Sequence, residues 1–461
     1  MSDGGSSPSK DPSNPPRDRL RDGPVLATLL SFAAPNAVAL CSSAIITICE
    51  TAYVGRLGIH ELAGVTLVFP LIMLMQMMSG GAMGGAIAGA ISRSLGAGDV
   101  RRAENLALSA LVVGVSAGVT FALAIWSFGP VAYRALGGTG ASLESAVRYS
   151  NIVAIAVVGI WTTNTLASIA RGCGAMTMPA MVLLVAGLLQ IGLGGALAFG
   201  LGPAPRLGLE GVALAQVAAF GMAAAVLFAF LRRSQRRVRL VFAWTALTQI
   251  HFKAILPRGA LASLSPIQSV LTVLILTSLA ARFGPEVLAG YGIGSRLEFL
   301  LIPVAFSFGV GAVPMVGVAI GAGNTTRARL VAWTASGLAA VTLGLIAAVV
   351  IAAPDIWAGL FAADGKVLHT ARDYLRIASW GFPFLGISLC LYFAAQGAGK
   401  LIGPIVAQAL RLGIIIIGGF ALAAAASPVW TLFALAGGAM VAQALATIAA
   451  VKLTRWDTVP V

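Results

Sequence analysis

Four charged side chains fall inside long apolar stretches of this sequence: Glu50, Arg296, Glu298 and Arg411. At the centre of a bilayer each costs on the order of 2.5–3.5 kcal/mol, so each needs a reason to be there. A carboxylate so placed suits reversible binding of a proton or a cation, because loss of water favours an acid's neutral or paired form. Glu50 stands alone in its stretch and is the first candidate for such exchange. Arg296 and Glu298 lie two residues apart, about 200° around a helix, and so address different neighbours. One of them can face a cleft, and Glu298 can instead pair with Arg411, since buried charges are normally paired. On that reading Arg411 is a structural charge. No catalytic or metal-ligating set accompanies them. His60, His251 and His369 stand near the ends of apolar stretches, and Cys41, Cys49, Cys173 and Cys390 lack metal-ligand spacing. The chain is expected to be neither an enzyme nor a cofactor or metal protein.

The elements that must position these groups follow from composition. Of 461 residues, 58% are hydrophobic and 10% charged, far from the balance of a water-soluble domain. Spanning a bilayer by helix takes roughly 20 apolar residues. Such runs are predicted at 25–54, 62–92, 105–133, 146–172, 178–201, 209–231, 253–282, 288–320, 328–353, 370–397, 402–425 and 429–453. The 55 glycines suit membrane helices that approach closely through small residues. The net charge of +14 is carried by the breaks between runs, which argues for topology rather than nucleic-acid binding. Arg93, Arg101, Arg102, Arg171, Arg258, Arg327, Arg329 and Lys400 gather on one side with both termini, so both termini are expected in the cytoplasm of a cell inner membrane.

An internal repeat runs at an offset of 225 to 226 residues. Leu62-Ala63-Gly64 answers Leu288-Ala289-Gly290, Gly96-Ala97-Gly98 answers Gly321-Ala322-Gly323, and Arg171-Gly172 answers Gln396-Gly397. Six spans per unit orient both units alike, about an axis along the membrane normal. The expected organisation is a disordered tail over 1–24, an N-terminal lobe over 25–232, a linker over 233–252, a C-terminal lobe over 253–453 and a short tail over 454–461. The fold class is therefore all-α and polytopic: twelve helices in two pseudo-symmetric lobes.

The run Glu50-Thr51-Ala52-Tyr53-Val54-Gly55-Arg56-Leu57-Gly58, the residues Glu61 to Val65, the Leu95 to Asp99 and Ile320 to Asn324 turns, and the Arg171-Gly172 and Gln396-Gly397 span ends stand in a distinctive order. Through them, and over nearly its whole length, the chain resembles the multidrug and toxic compound extrusion family, on the side of its proton-coupled, DNA-damage-inducible-type branch. The resemblance implies a V-shaped antiporter that expels amphipathic, often cationic compounds in exchange for protons or sodium, working as a monomer in the bilayer.

Carried over residue by residue, the family's first-span Asp is Glu50 here, and its fifth-span Asn and Asp fall on Gln190 and Gly194. Its sixth-span Thr falls on Gln216. The resemblance thus implies a coupling group of Glu50, Gln190 and Gln216, although both amides equally suit plain helix-to-helix bridging. Ser265 stands where the sodium-coupled branch has an acid, so proton exchange is favoured over sodium. Cleft candidates for a soft, adaptable pocket are Glu298, Arg296, Trp161, Met73, Gln76, Trp380 and Tyr392. Lipid-facing packing accounts equally for the methionines. Across the repeat, Glu50 answers a position near Leu276, Glu298 answers Met73 or Ile72, and Arg411 answers Ala186. Coupling chemistry is accordingly expected in the N-terminal lobe. A flippase of lipid-linked saccharides is the alternative within the same superfamily.

Overall fold

In a computed structural model the described residues are 20–233, 238–240, 247–361, 365–425 and 427–457. Among them twelve helices are long and apolar enough to cross a membrane. They are α1 Val25–Leu57, α2 Ile59–Gly96, α3 Val100–Ala135, α4 Gly140–Gly172, α5 Thr177–Phe199, α6 Gly208–Arg233, α7 Gln249–Ala281, α8 Pro285–Gly321, α9 Thr325–Ala352, α10 Gly365–Ala398, α11 Ile402–Ala424 and α12 Val429–Leu453. Every predicted span lies on one of them, offset by a few residues where polar turns continue the helix beyond the apolar run.

The turns repeat as the sequence does. Gly98 and Gly323 adopt φ of 83° and 74°, a left-handed conformation that ends α2 and α8 and that glycine takes without steric cost. The next residue restarts the helix. Asp99 accepts from the Arg102 backbone N–H at 2.8 Å, and Asn324 accepts from that of Arg327 at 2.9 Å. Two helices are interrupted. α2 passes through a π turn at Met77–Met83, and α10 through a 3₁₀ turn at Ser379–Gly381 just before Pro383. Such turns release main-chain groups and recur at functional places.

The lobes, α1–α6 and α7–α12, meet at the end of the bundle that carries both chain termini. There α2 is buried from Gly81 through Leu95, whereas its stretch from Ile59 to Gln76 buries only Gly64, Val68, Ile72 and Met75. α8 behaves alike, with Gly311 through Ile320 enclosed. The approach is backbone to backbone. A Cβ on Gly96 would collide with the Val318 carbonyl, one on Gly321 with the Arg93 carbonyl, and one on Gly317 with Ser92. Gly96 and Gly321, like Ser92 and Gly317, are repeat mates, so α2 and α8 cross at the pseudo-two-fold axis. Towards the other end α2 is far less enclosed.

Arg93 seals the closed end. It is buried, and its Nη1 donates to the carbonyls of Gln396 and Gly397 at 3.2 and 2.6 Å, at the negative end of the α10 dipole. The expected tail over 1–24 lies outside the described residues up to 19. Leu20 is fully buried against the start of α1 and the C-terminal lobe, and Arg327 donates to the Gly23 carbonyl at 2.6 Å. Of the expected linker, 234–237 and 241–246 lie outside the described residues. Val238 and Leu240 are buried on the N-terminal lobe, and the Arg239 N–H donates to Glu104 at 3.1 Å. Residues 458–461 of the last tail also lie outside, while Trp456 is buried beneath Arg329.

Gly321→Val is expected to wedge the lobes apart, costing about 1–3 kcal/mol through overpacking. Thermal unfolding should occur at lower temperature and a cysteine introduced at Ser92 should label faster. Gly337→Ala, where a Cβ meets nothing within 4 Å, should change neither.

Candidate functional site

Each lobe holds one carboxylate within its half-open end, and each is held by a tyrosine from the lobe's fourth helix. In the N-terminal lobe, Glu50 sits two turns before the end of α1. Tyr149 on α4 donates to its Oε1 at 3.4 Å, and the Gln190 amide on α5 donates to its Oε2 at 3.0 Å. Tyr53, one turn after Glu50, lays its hydroxyl over Gly194, where a Cβ would stand 2.6 Å from it. The place of the missing second acid is thus filled by a phenol. Gln216 is buried on α6, but among the described residues its Oε1 has no partner and it does not bond Glu50. The expected three-residue group therefore forms as Glu50, Gln190 and Tyr149, with Gln216 apart.

In the C-terminal lobe, Arg411 on α11 bridges to Glu298 on α8 at 3.3 Å, with the side chains 11% and 15% exposed. Tyr374 on α10 donates to the other Glu298 oxygen at 3.3 Å, and the second Arg411 terminal nitrogen donates to Gln443 at 3.5 Å. Tyr291 and Phe433 stack edge-on against Tyr374 and keep this nest apolar at its rim. Arg296 points elsewhere, exposed, with its guanidinium 5.6 Å from the Phe361 ring. The two-residue spacing has the consequence expected of it.

Tyr149 and Tyr374 carry no signal of their own in the sequence, yet they are 225 residues apart, the register of the repeat. Both are buried. The carboxylates they hold are not repeat mates, so the duplication preserves the donor and varies where the acid comes from. A search of the repeat for paired polar residues would have found them.

The cleft candidates scatter. Trp161 is buried within the N-terminal lobe, stacked on Phe121 at 5.4 Å, and so belongs to packing. Tyr392 is buried and donates to the Ala262 carbonyl at 3.0 Å, tying α10 to α7. Trp380 is 67% exposed beside the 3₁₀ turn. Met73 is half-buried and Gln76 exposed, both on the open half of α2.

The MatE family model matches residues 35–194 and 263–421, once in each lobe. This chain belongs to the MATE family. Among curated relatives, a probable multidrug resistance protein NorM of Deinococcus radiodurans is 27% identical over 421 residues, 85% of this chain and 87% of that one. The FAD transporter of Shewanella oneidensis is 23% identical over 87% and 88%. The multidrug export protein MepA of Staphylococcus aureus is 23% identical over 93% of each. Among solved structures, an outward-facing multidrug resistance MATE family transporter superposes with a TM-score of 0.85 at 20% identity, covering 95% of this chain and 98% of that one. The Vibrio cholerae MATE transporter VcmN in its bent form gives 0.85 at 23%, covering 93% and 96%. MATE proteins are transporters and not enzymes, and this chain is accordingly a multi-pass membrane transporter with the two-lobed MATE fold.

Breaking one side of the Glu298–Arg411 pair should destabilise the MATE fold more than removing both. Arg411→Met leaves a carboxylate buried and is expected to cost about 3–5 kcal/mol, while Glu298→Gln combined with Arg411→Met should recover most of the loss. Thermal unfolding of the purified single and double variants reads the difference.

Proposed function

We propose that this transporter is an antiporter that exports amphipathic, cationic small molecules in exchange for protons by alternating access, with Glu50 as the coupling carboxylate. The observation that carries the proposal is the company Glu50 keeps. Its two hydrogen-bond partners, a phenol and a carboxamide, are neutral donors that point hydrogens at it. They hold the carboxylate in place without neutralising it, so its charge remains available to a proton or a cationic substrate. A sodium site would need several oxygens pointing inward, and Gly194 supplies none where an acid would be a ligand. Glu298 differs, because Arg411 already balances it.

In this reading a proton from the open side binds Glu50, removes the charge that attracts a cationic substrate and weakens the bonds from Tyr149 and Gln190. The outer half of α1 then repacks and the substrate leaves. The lobes rock about the α2–α8 crossing, and Glu50 releases its proton to the other side. The transporter sits in the cell inner membrane as a monomer with both termini in the cytoplasm, and the closed end is then the cytoplasmic one. The basic breaks on that side support this orientation. The NorM and MepA relatives are described as multidrug resistance and export proteins, which supports the substrate class.

Glu50→Gln keeps the shape and both hydrogen-bonded neighbours but removes the titratable group. In proteoliposomes with an imposed pH gradient, it is expected to reduce exchange of a fluorescent organic cation to the protein-free background. Tyr149→Phe should keep exchange but move its pH profile. Replacing sodium by potassium should leave the wild-type rate unchanged, and full exchange by Glu50→Gln would refute the assignment.

A further inference from the structure

At the lobe interface lies a small, partly open cavity of about 10 Å³, about the room of a single water-sized body. It lies on the pseudo-two-fold axis, since its walls are repeat mates of one another: Gly85 with Val310, Ala88 with Val313, and Ser168 with Phe393. On the N-terminal side the residues are small, on the C-terminal side they are bulky, and the space is the difference between them. The charged wall is Arg171, near the end of α4.

Arg171 and Gln396 are also repeat mates, and each stands at the junction with the other lobe. Gln396 donates to the Gly81 carbonyl at 3.3 Å, in the π turn of α2. Arg171, half-buried, has no such partner among the described residues. Among the described residues its Nε is buried without a hydrogen bond, and the ion pairs formed there do not include it. The nearby Ser168 hydroxyl is committed to the Asn164 carbonyl at 2.7 Å. Of the other basic residues of this end, Arg93 is bonded to carbonyls and Arg258 to the Ala254 carbonyl at 2.9 Å. A guanidinium facing a largely apolar cavity with no counter-ion among the described residues is costly, and an anion in the cavity removes that cost.

We propose that this cavity binds a small monovalent anion of chloride size against Arg171. Both lobes build the walls, so the site is whole only while the terminus-bearing end is closed. A ligand that binds one of two conformations shifts the population towards it. Chloride therefore stabilises the closed-end state and slows the opening of that end. The site is independent of Glu50 and of the coupling ion, and binding can be measured without transport.

The test is thermal unfolding of the full-length detergent-purified protein, followed by tryptophan fluorescence, with sodium chloride titrated against sodium gluconate at constant ionic strength. A ligand of the folded state raises Tm in a concentration-dependent way. The expected result is an upward, saturating shift with chloride. Arg171→Gln, which copies the repeat mate Gln396, should abolish the shift, and Arg171→Lys should retain it. Ala88→Val, which copies Val313 and fills the space without touching the charge, should abolish it too. That second variant decides the matter if Arg171→Gln does not fold. No chloride shift in the wild type, as a resident water would give, overturns the proposal, and so does a shift that survives in Arg171→Gln or in Ala88→Val.

Discussion

The crossing of α2 and α8 is the contact on which the rest of the molecule depends. In a bilayer no hydrophobic force drives one helix against another, because lipid is as apolar as a leucine side chain. Close packing and hydrogen bonding remain, and both are concentrated here. Gly96, Gly317 and Gly321 let the two backbones approach to a distance that a methyl group would forbid. Arg93 then adds charge-assisted bonds from α2 to the carbonyls that end α10. Around the crossing, glycines of one lobe receive side chains of the other, Gly81 facing Phe306 and Gly259 facing Met83. Beyond the crossing, most of each lobe's buried core is made by that lobe's own helices.

Duplication supplies two lobes of one design, and the geometry revises its chemical consequence. In the sequence, the charges look confined to unmatched positions, and coupling is expected on the N-terminal side alone. The geometry adds a half-buried carboxylate in each lobe with a tyrosine from equivalent positions, Tyr149 and Tyr374. The difference between the lobes lies in the third partner. Gln190 is neutral and Arg411 is charged, about one turn apart on equivalent helices. A neutral partner leaves a carboxylate free to trade its charge, whereas an ion pair fixes it. The asymmetry thus arises in the fifth helix of each lobe rather than in the presence or absence of an acid.

The fold was legible because the bilayer permits few alternatives: every backbone group must be satisfied within a helix, so apolar length and basic breaks suffice. The repeat fixed the pairing of lobes. The pair of Glu298 with Arg411 was legible for a related reason, since buried charges seek partners. Rotation about each helix axis was not legible. A helix that is apolar all round has no hydrophobic face from which to read its phase. Trp161 and Trp380 look alike as aromatic cleft candidates, yet one packs inside its lobe and the other is exposed. Gln216 entered the group with Glu50 through the resemblance, which carries residue positions but not the contacts they make, and among the described residues its Oε1 has no partner.

Arg93 shows how one residue can satisfy two constraints that the sequence displays as one. As a basic residue at a span end it counts towards the charge bias from which an orientation is read. Its side chain nevertheless turns inward, because the carbonyls at the end of α10 offer a guanidinium the negative end of a helix dipole at the lobe junction. Topological charge and gate chemistry are then the same atoms. Arg171 occupies a similar place on α4 and lacks those carbonyls, since its repeat mate Gln396 has taken the corresponding crossing to Gly81. Two arginines equal in the topological count thus differ in what balances them, one by the protein's own backbone and the other by no ion pair among the described residues.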